Sequence, residues 1–588
     1  MGKWGQKAPK KQYGQGTSQG RLTFVAAFFI ILFASVGVTL VDLQVLHYTE
    51  ISAQALDQRM VQRIIPARRG DILASDGLPL AQNVSLHLVY AVPWMVEEKE
   101  KTALALSPVL GLPLEDLNVS LAKASGYVPL KHWVSDVEYE QIQALKLPGI
   151  VVTPEEKRYY PEKNMLSQVL GFVNKDGIGQ YGLEKYYDAL LSGTAGYLRR
   201  EQDTSGRSIP IGLNEEVPSV DGAHLILTID RSVQRIVEEK LKAGVERASA
   251  EEGEVIVMDP VTGAVLAMAN YPDFDPNDYL ASLRDADGNF MESGFTIFNN
   301  SSVSVPYEPG SVFKVVTMAT GLDTEAFHMG DTVYDPGELV IYGKPIRNWD
   351  KLGHGELTLS GCLEISNNVC LAQIAQGTGA DNFYRYIQGF GFGGKTGIDL
   401  PYESSGEIHD FTDWNEILTA TSGFGQGITV TPMQLITAVS AIANRGRLVR
   451  PYVVQTKVQE DASYDQEPQV IKQVISQDVA EEVTRMMVNV VERSEGRPGG
   501  VPGYHIAGKT GTAQVSKDGE AGYSDDIFVA SFVGFAPADA PKFIILVKMK
   551  LTPQTHPDLR WGSTAAAPVF RQIAEELFKY YQMPPVGV

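Results

Sequence analysis

Residues 22–41, LTFVAAFFIILFASVGVTLV, run for 20 positions without a charged side chain. About 20 apolar residues in a helix cross the ~30 Å hydrocarbon layer of a bilayer, so this stretch predicts a membrane span. A cleaved signal peptide would carry a shorter apolar region, about 7–15 residues, followed by its small-residue cleavage site. Here the small-x-small candidate, Ser35 to Gly37, lies inside the apolar run, which favours a retained anchor. Lys3, Lys7, Lys10, Lys11 and Arg21 precede the run and Asp42 follows it. By the positive-inside rule the N-terminus faces the cytoplasm and the bulk of the chain lies outside. A domain placed there has no reliable supply of ATP, nicotinamide or reducing equivalents, so cofactor-free chemistry is expected. The apolar run FIILVKM (543–549) is too short to span as a helix and reads as a buried strand.

At 588 residues the chain should hold two or three domains, and its 44% hydrophobic content supplies several cores and excludes wholesale disorder. The net charge is −21 although the first 41 residues carry five bases and no acid, so the body is strongly acidic and no nucleic-acid partner is expected. Two cysteines, Cys362 and Cys370, build neither a disulfide framework nor a four-ligand metal site. On one continuous helix they would stand ~12 Å apart, beyond the ~7 Å limit for bridged Cα atoms, so two free buried thiols are expected.

After the anchor, 43–63 reads as an irregularly amphipathic helix, and IPARRGDILASDGLPLA (65–81) as short strands around turns at Gly70 and Asp76-Gly77. A loop-rich mixed region extends to about residue 215, where GLNEEVPSVDG (212–222) reads as a linker. The next domain opens with a strand, HLILTI (224–229), then Asp230 as an N-cap and Val233, Ile236, Val237, Leu241, Val245 and Ala248 at helical spacing. EVIVMDPVTGAVLAMA (254–269) is a hairpin, 527–535 and 542–549 form a second strand pair, and 564–581 is a final helix. The fold class is therefore α+β, a central antiparallel sheet covered by helices. The expected organisation is a basic tail (1–21), an anchor (22–41), a non-catalytic module (42–215) and a catalytic domain (220–588).

Three motifs stand in order in that last domain: SVFK (311–314), SNN (366–368) and KTGT (509–512). An S-x-x-K match is common by chance, and SLAK (120–123) is a second one. Context separates them, since Ser311 follows the sharp turn EPG (308–310) and opens an apolar helical run through Val315, Val316, Met318, Ala319 and Leu322. A serine hydroxyl needs a base, and a lysine one turn away can serve if burial and a nearby cation lower its pKa. Lys314 is that candidate, with Lys509 as the nearby cation and the attractor of a substrate carboxylate. Ser366 would relay a proton to the leaving amine, Asn368 would hold Lys314 and a substrate amide, and the backbone N–H groups of Ser311 and Thr512 would form an oxyanion hole.

Order and context together resemble the class B penicillin-binding proteins. RRGDILASDGLPLA (68–81), KRYYPEKNMLSQVLGFV (157–173), GLEKYYDALLSG (182–193), LTIDRSVQ (227–234), YEPGSVFKVVT (307–317), FGQGITVTPMQ (424–434) and IAGKTGTAQ (506–514) carry the likeness. It implies a peptidoglycan D,D-transpeptidase in which Ser311 is acylated, Lys314 is the base, Ser366 and Asn368 belong to the middle motif, and Lys509, Thr510, Gly511 and Thr512 to the strand motif. It further implies stem-peptide substrates, acylation by beta-lactams and no cofactor. The partners it implies are the cytoplasmic membrane, a SEDS-type membrane glycan polymerase and other cell-division proteins. The stretch DTSGRSIP (203–210) is more similar to division-type than elongation-type members. Two departures are visible: the segment before Ser311 lacks the family's arginine-containing lead-in, and SNN carries Asn367 at its variable position.

Rival readings are weaker. GYHIAGKT (503–510) and GFGFGGKT (389–396) both satisfy the P-loop pattern, but neither sits between a buried strand and a long helix as phosphate binding requires. KTG at 395–397 precedes a loop ending at Pro401, whereas a strand pair follows Lys509. A beta-lactamase would need an efficient deacylating base, for which no specific candidate stands out. A scaffold that activates a glycan polymerase would be the sole role only if a catalytic group were missing.

Overall fold

The computed structural model describes residues 16–202, 209, 214–285, 287–460, 462–494, 496–517 and 522–585. It divides into two units, Met1–Ala67 with Thr194–Val220, and Arg68–Gly193 with Asp221–Val588.

In the first unit helix Gly16–Val41 continues into a π-helical turn, Asp42–Leu46. Among the described residues, Gly20–Leu46 is the one helix long and apolar enough to cross a membrane, and none of its apolar window is buried in protein. Phe24, for instance, is 76% exposed. Helix Tyr48–Arg59 then gives way to strand Met60–Ile65, where the sequence pattern predicts helix as far as residue 63. That strand pairs antiparallel with Gly196–Glu201, which pairs in turn with Asn214–Val217. The expected linker at 212–222 is thus corrected: its middle is a strand. Glu215 finds complementary partners across the ladder, lying opposite Arg199 at 3.6 Å and accepting from the Tyr197 hydroxyl at 2.9 Å. Residues 203–208 and 210, most of DTSGRSIP, lie outside the described residues.

The second unit contains two main sheets. In one, strand Ile72–Leu73 runs parallel to His224–Leu227 and antiparallel to Pro79–Ala91, which also pairs with Val128–Val134 and Ile150–Tyr159. Arg69 and Arg158 converge beneath it on the fully buried carboxylate of Glu184, each at 2.7 Å.

The other sheet is antiparallel, in the order 265–271, 250–258, 543–551, 523–536, 507–516. Its inner strands read as continuous apolar runs because both faces are covered. Val255, Val257, Ile545 and Val547 pack on one face with helices Arg231–Ala248 and Ala566–Tyr580. Alternate residues Ile256, Met258, Ile544 and Leu546 pack on the other, with the helical middle of the domain. Asp230 caps the first helix by accepting from the amides of Ser232 and Val233, as expected. Every residue of helix Pro432–Ala443 is buried in that helical middle.

The two cysteines are free and buried, but on separate helices, Leu359–Glu364 and Asn368–Thr378, rather than on one continuous helix. The neighbouring Cys370 thiol and burial push the Cys362 thiol far above its ordinary range.

Glu238, on helix Arg231–Ala248, accepts from the Leu166 amide at 2.9 Å and the Gln234 side chain at 2.7 Å. Burial raises its carboxyl to about 7, with Asp273 adding to the rise against the two hydrogen bonds and Arg235. The folded state therefore holds a proton that the unfolded state releases near pH 4.5, so stability falls as pH rises from there to about 7. Glu238→Gln should remove this slope: thermal melts of wild type and variant should agree at pH 5 and diverge by pH 8, the variant melting higher.

Candidate active site

The turn that presents Ser311 is held from the opposite side by the glycine-rich stretch 425–430. Tyr307 and Val430 exchange two backbone hydrogen bonds at 2.9 Å, and Gly310 N–H donates to the Gly425 carbonyl at 3.1 Å. The Gly427 amide donates to Glu308 Oε1 at 2.9 Å. Gly425 is required by its own backbone, φ +80°, and by contact, because a Cβ there would lie 2.2 Å from the Gly310 carbonyl oxygen. Ser311 lies in a 3-10 turn, Gly310–Phe313, and the α-helix starts only at Lys314. The sequence places both in one α-helix; the tighter turn still keeps positions i and i+3 on one side.

Lys314 is wholly buried. Its ammonium donates to the Ser366 carbonyl at 2.6 Å, to Ser366 Oγ at 3.2 Å and to Asn368 Oδ1 at 2.7 Å. Lys509, also wholly buried, reaches the same Ser366 Oγ at 2.9 Å from the edge strand Ala507–Ser516, and donates to Thr510 O and Oγ1. Ser366 sits at φ +55°, a sharp break between two helices that aims its side chain at both lysines.

Ser311, Ser366, Asn368, Thr510 and Thr512 line one cleft of about 310 Å³. Strand 507–516 is the edge of its sheet and runs beside the nucleophile turn, with Gly310 close to Thr512 and Ala513. Gly511 permits the approach, since a Cβ there would meet Ser531 Oγ at 2.4 Å and Val312 Cγ2 at 2.9 Å. Thr512 Oγ1 accepts from the Gly562 amide at 3.0 Å, tying the strand to the loop that carries Trp561.

All three sequence motifs thus meet in one place. The decoys do not. Lys123 ends helix Leu114–Ala122 and is solvent-exposed. At 389–396 the Thr396 amide and hydroxyl and the Gly397 amide bind the carboxylate of Glu403, an internal anion where a phosphate would have to sit. At 503–510 the final residues are strand, with no helix N-terminus behind them. Sequence reasoning missed the rim and the support of the cleft. Trp349 and Trp561 stand edge to face at its mouth, ring centroids 5.9 Å apart, and Asp335 and Asn348 hold the middle motif from behind. No periodicity marks such residues, which come from loops distant in sequence.

The profile of the Penicillin binding protein transpeptidase domain matches residues 253–575, and that of the Penicillin-binding Protein dimerisation domain matches 64–227. The chain belongs to the penicillin-binding protein transpeptidases. Stage V sporulation protein D of Bacillus subtilis is 33% identical over 579 residues, covering 97% of this chain and 86% of that protein. Penicillin-binding protein PbpB of Mycobacterium tuberculosis is 30% identical over 587 residues, 95% and 84% of the two chains. Among solved structures, a peptidoglycan synthetase from Bifidobacterium adolescentis superposes with a TM-score of 0.71 at 28% identity, over 90% of this chain and 98% of that one. Penicillin binding protein 3 from Mycobacterium tuberculosis, solved in complex with aztreonam, gives 0.67 at 26% identity over the same shares. This penicillin-binding protein is a peptidoglycan D,D-transpeptidase, a serine acyltransferase of class B.

Proposed function

We propose that Ser311 is the acylated nucleophile of this transpeptidase, with Lys314 as its base. The observation that carries the reading is the convergence of Lys314 and Lys509 on Ser366 Oγ beside the cleft that Ser311 lines. A stem peptide lies along the edge strand, its terminal carboxylate drawn by Lys509, Thr510 and Thr512, and Gly511 lets it approach closely. Ser311 Oγ attacks the carbonyl of the penultimate D-alanine as Lys314 takes its proton. The tetrahedral oxyanion sits on the Ser311 and Thr512 amides. Ser366 passes the proton to the departing D-alanine amine, and Asn368 orients Lys314 and the substrate amide. The amine of a neighbouring stem then takes the acyl group and restores Ser311. Beta-lactams acylate the same serine.

The helix Gly20–Leu46 anchors the protein in the cytoplasmic membrane, with the basic tail inside and the catalytic domain (220–588) outside. Residues 42–215 form the non-catalytic, dimerisation-type module. The likeness of DTSGRSIP (203–210) to division-type members carries the reading of a role in division-type wall synthesis beside a SEDS-type glycan polymerase and other division proteins.

The test is turnover of a D-Ala-D-Ala-ended stem peptide with an amine acceptor by the full-length protein in detergent. D-alanine release coupled to a transfer product is expected. A folded protein that forms neither product nor acyl-enzyme would leave only the scaffold role.

A further inference from the structure

The middle motif carries an asparagine at its variable position, and the structure commits both ends of that side chain. Asn367 Oδ1 caps helix Asn368–Thr378 through the Cys370 amide at 2.8 Å, while its Nδ2 donates to Asp335 Oδ2 at 2.6 Å. Asp335, 1% exposed, accepts on the same oxygen from Asn348 Nδ2 at 2.8 Å and the His354 amide at 3.1 Å, and on Oδ1 from the Gly337 amide at 2.8 Å. Asn348 in turn accepts on Oδ1 from the amides of Asn368 at 3.0 Å and Val369 at 3.2 Å. Asn368 Nδ2 donates to the carbonyl of Arg347, next to Asn348, at 3.0 Å, leaving its Oδ1 for Lys314 at 2.7 Å.

The residue these contacts flank, Ser366, is held at φ +55°. A non-glycine residue there persists only when its surroundings over-determine it. The segment 332–358 therefore fixes the turn that carries Ser366 and Asn368, and through them the position of the Lys314 ammonium.

We propose that Asp335 and Asn348 are positioning residues of the transpeptidase, which set the geometry of proton transfer at Ser366 and Lys314 without touching substrate. The proposal rests on the assignment of Ser311, Lys314 and Ser366 above. A buried carboxylate that receives four N–H donors cannot be replaced by an amide without turning a donor toward a donor. Asp335→Asn should therefore loosen the turn. Asn367→Ser keeps an oxygen able to cap the helix and, being one bond shorter, draws its donor back from Asp335.

Acylation of the full-length protein by a fluorescent penicillin, followed by stopped-flow, separates the binding constant of the reversible complex from the rate of acyl-enzyme formation. Misplacement of a reacting group by an ångström costs up to about 100-fold. Both variants should lose roughly 10- to 100-fold in the acylation rate with the binding constant unchanged. Unchanged rates in folded variants, or a fall in melting temperature alone, would overturn the proposal, as would a loss confined to binding. If Asp335→Asn does not fold, Asn367→Ser decides. Failure of wild type itself to form an adduct at Ser311 would instead overturn the underlying site assignment.

Discussion

Full-length Ser311→Ala, incubated with a fluorescent penicillin and read by denaturing gel and intact mass, should carry no adduct, whereas wild type should carry one. The side chain is half-buried at the rim of the cleft and lies in a 3-10 turn whose geometry is set by Gly310, Gly425 and the Tyr307–Val430 bridge rather than by its hydroxyl. Removing one oxygen there should shift stability by no more than about 0.5 kcal/mol. Loss of a nucleophile in a concerted site costs on the order of 10⁴-fold or more in turnover, so the contrast between intact fold and absent acylation should be sharp. Ser120→Ala should behave as wild type, because Lys123 is exposed and ends its helix without a partner motif. An adduct that survives Ser311→Ala would move the nucleophile elsewhere.

Lys314→Met should slow acylation by about 10²- to 10⁴-fold, the usual contribution of a positioned general base. Methionine fills the volume but leaves the Ser366 carbonyl and Asn368 Oδ1 without the donor they now share, while Ser366 Oγ keeps Lys509. Some loss of stability should accompany the kinetic loss, about 1–3 kcal/mol for each acceptor stranded in the interior. Lys314→Arg separates the two roles. A guanidinium supplies charge and donors but does not give up its proton, so it should restore stability in part and acylation hardly at all. Acylation by Lys314→Arg within tenfold of wild type would mean that the residue acts by charge and not as a base.

Much of the architecture was legible because burial writes itself into spacing. The strands at 254–258, 527–535 and 542–549 are apolar on both faces, and helix 231–248 shows Val233, Val237, Leu241 and Val245 on one face after an aspartate cap. Where the pattern failed, a partner distant in the chain decided. Residues 60–65 and 214–217 are strands through their ladder with 196–201.

The chemistry divides in the same way. By themselves, the residues determined which groups react: a serine behind a Pro-Gly turn, a lysine three positions on, and two further motifs in fixed order. Only the tertiary structure decided that Lys314 and Lys509 meet on one hydroxyl, that Glu403 already fills the phosphate-like loop at 396–397, and that Asp335 and Asn348 lock the middle motif. The reason is physical. Spacing along a chain reports which face of a helix or strand is buried, but hydrogen bonds between residues tens or hundreds of positions apart depend on how those elements pack.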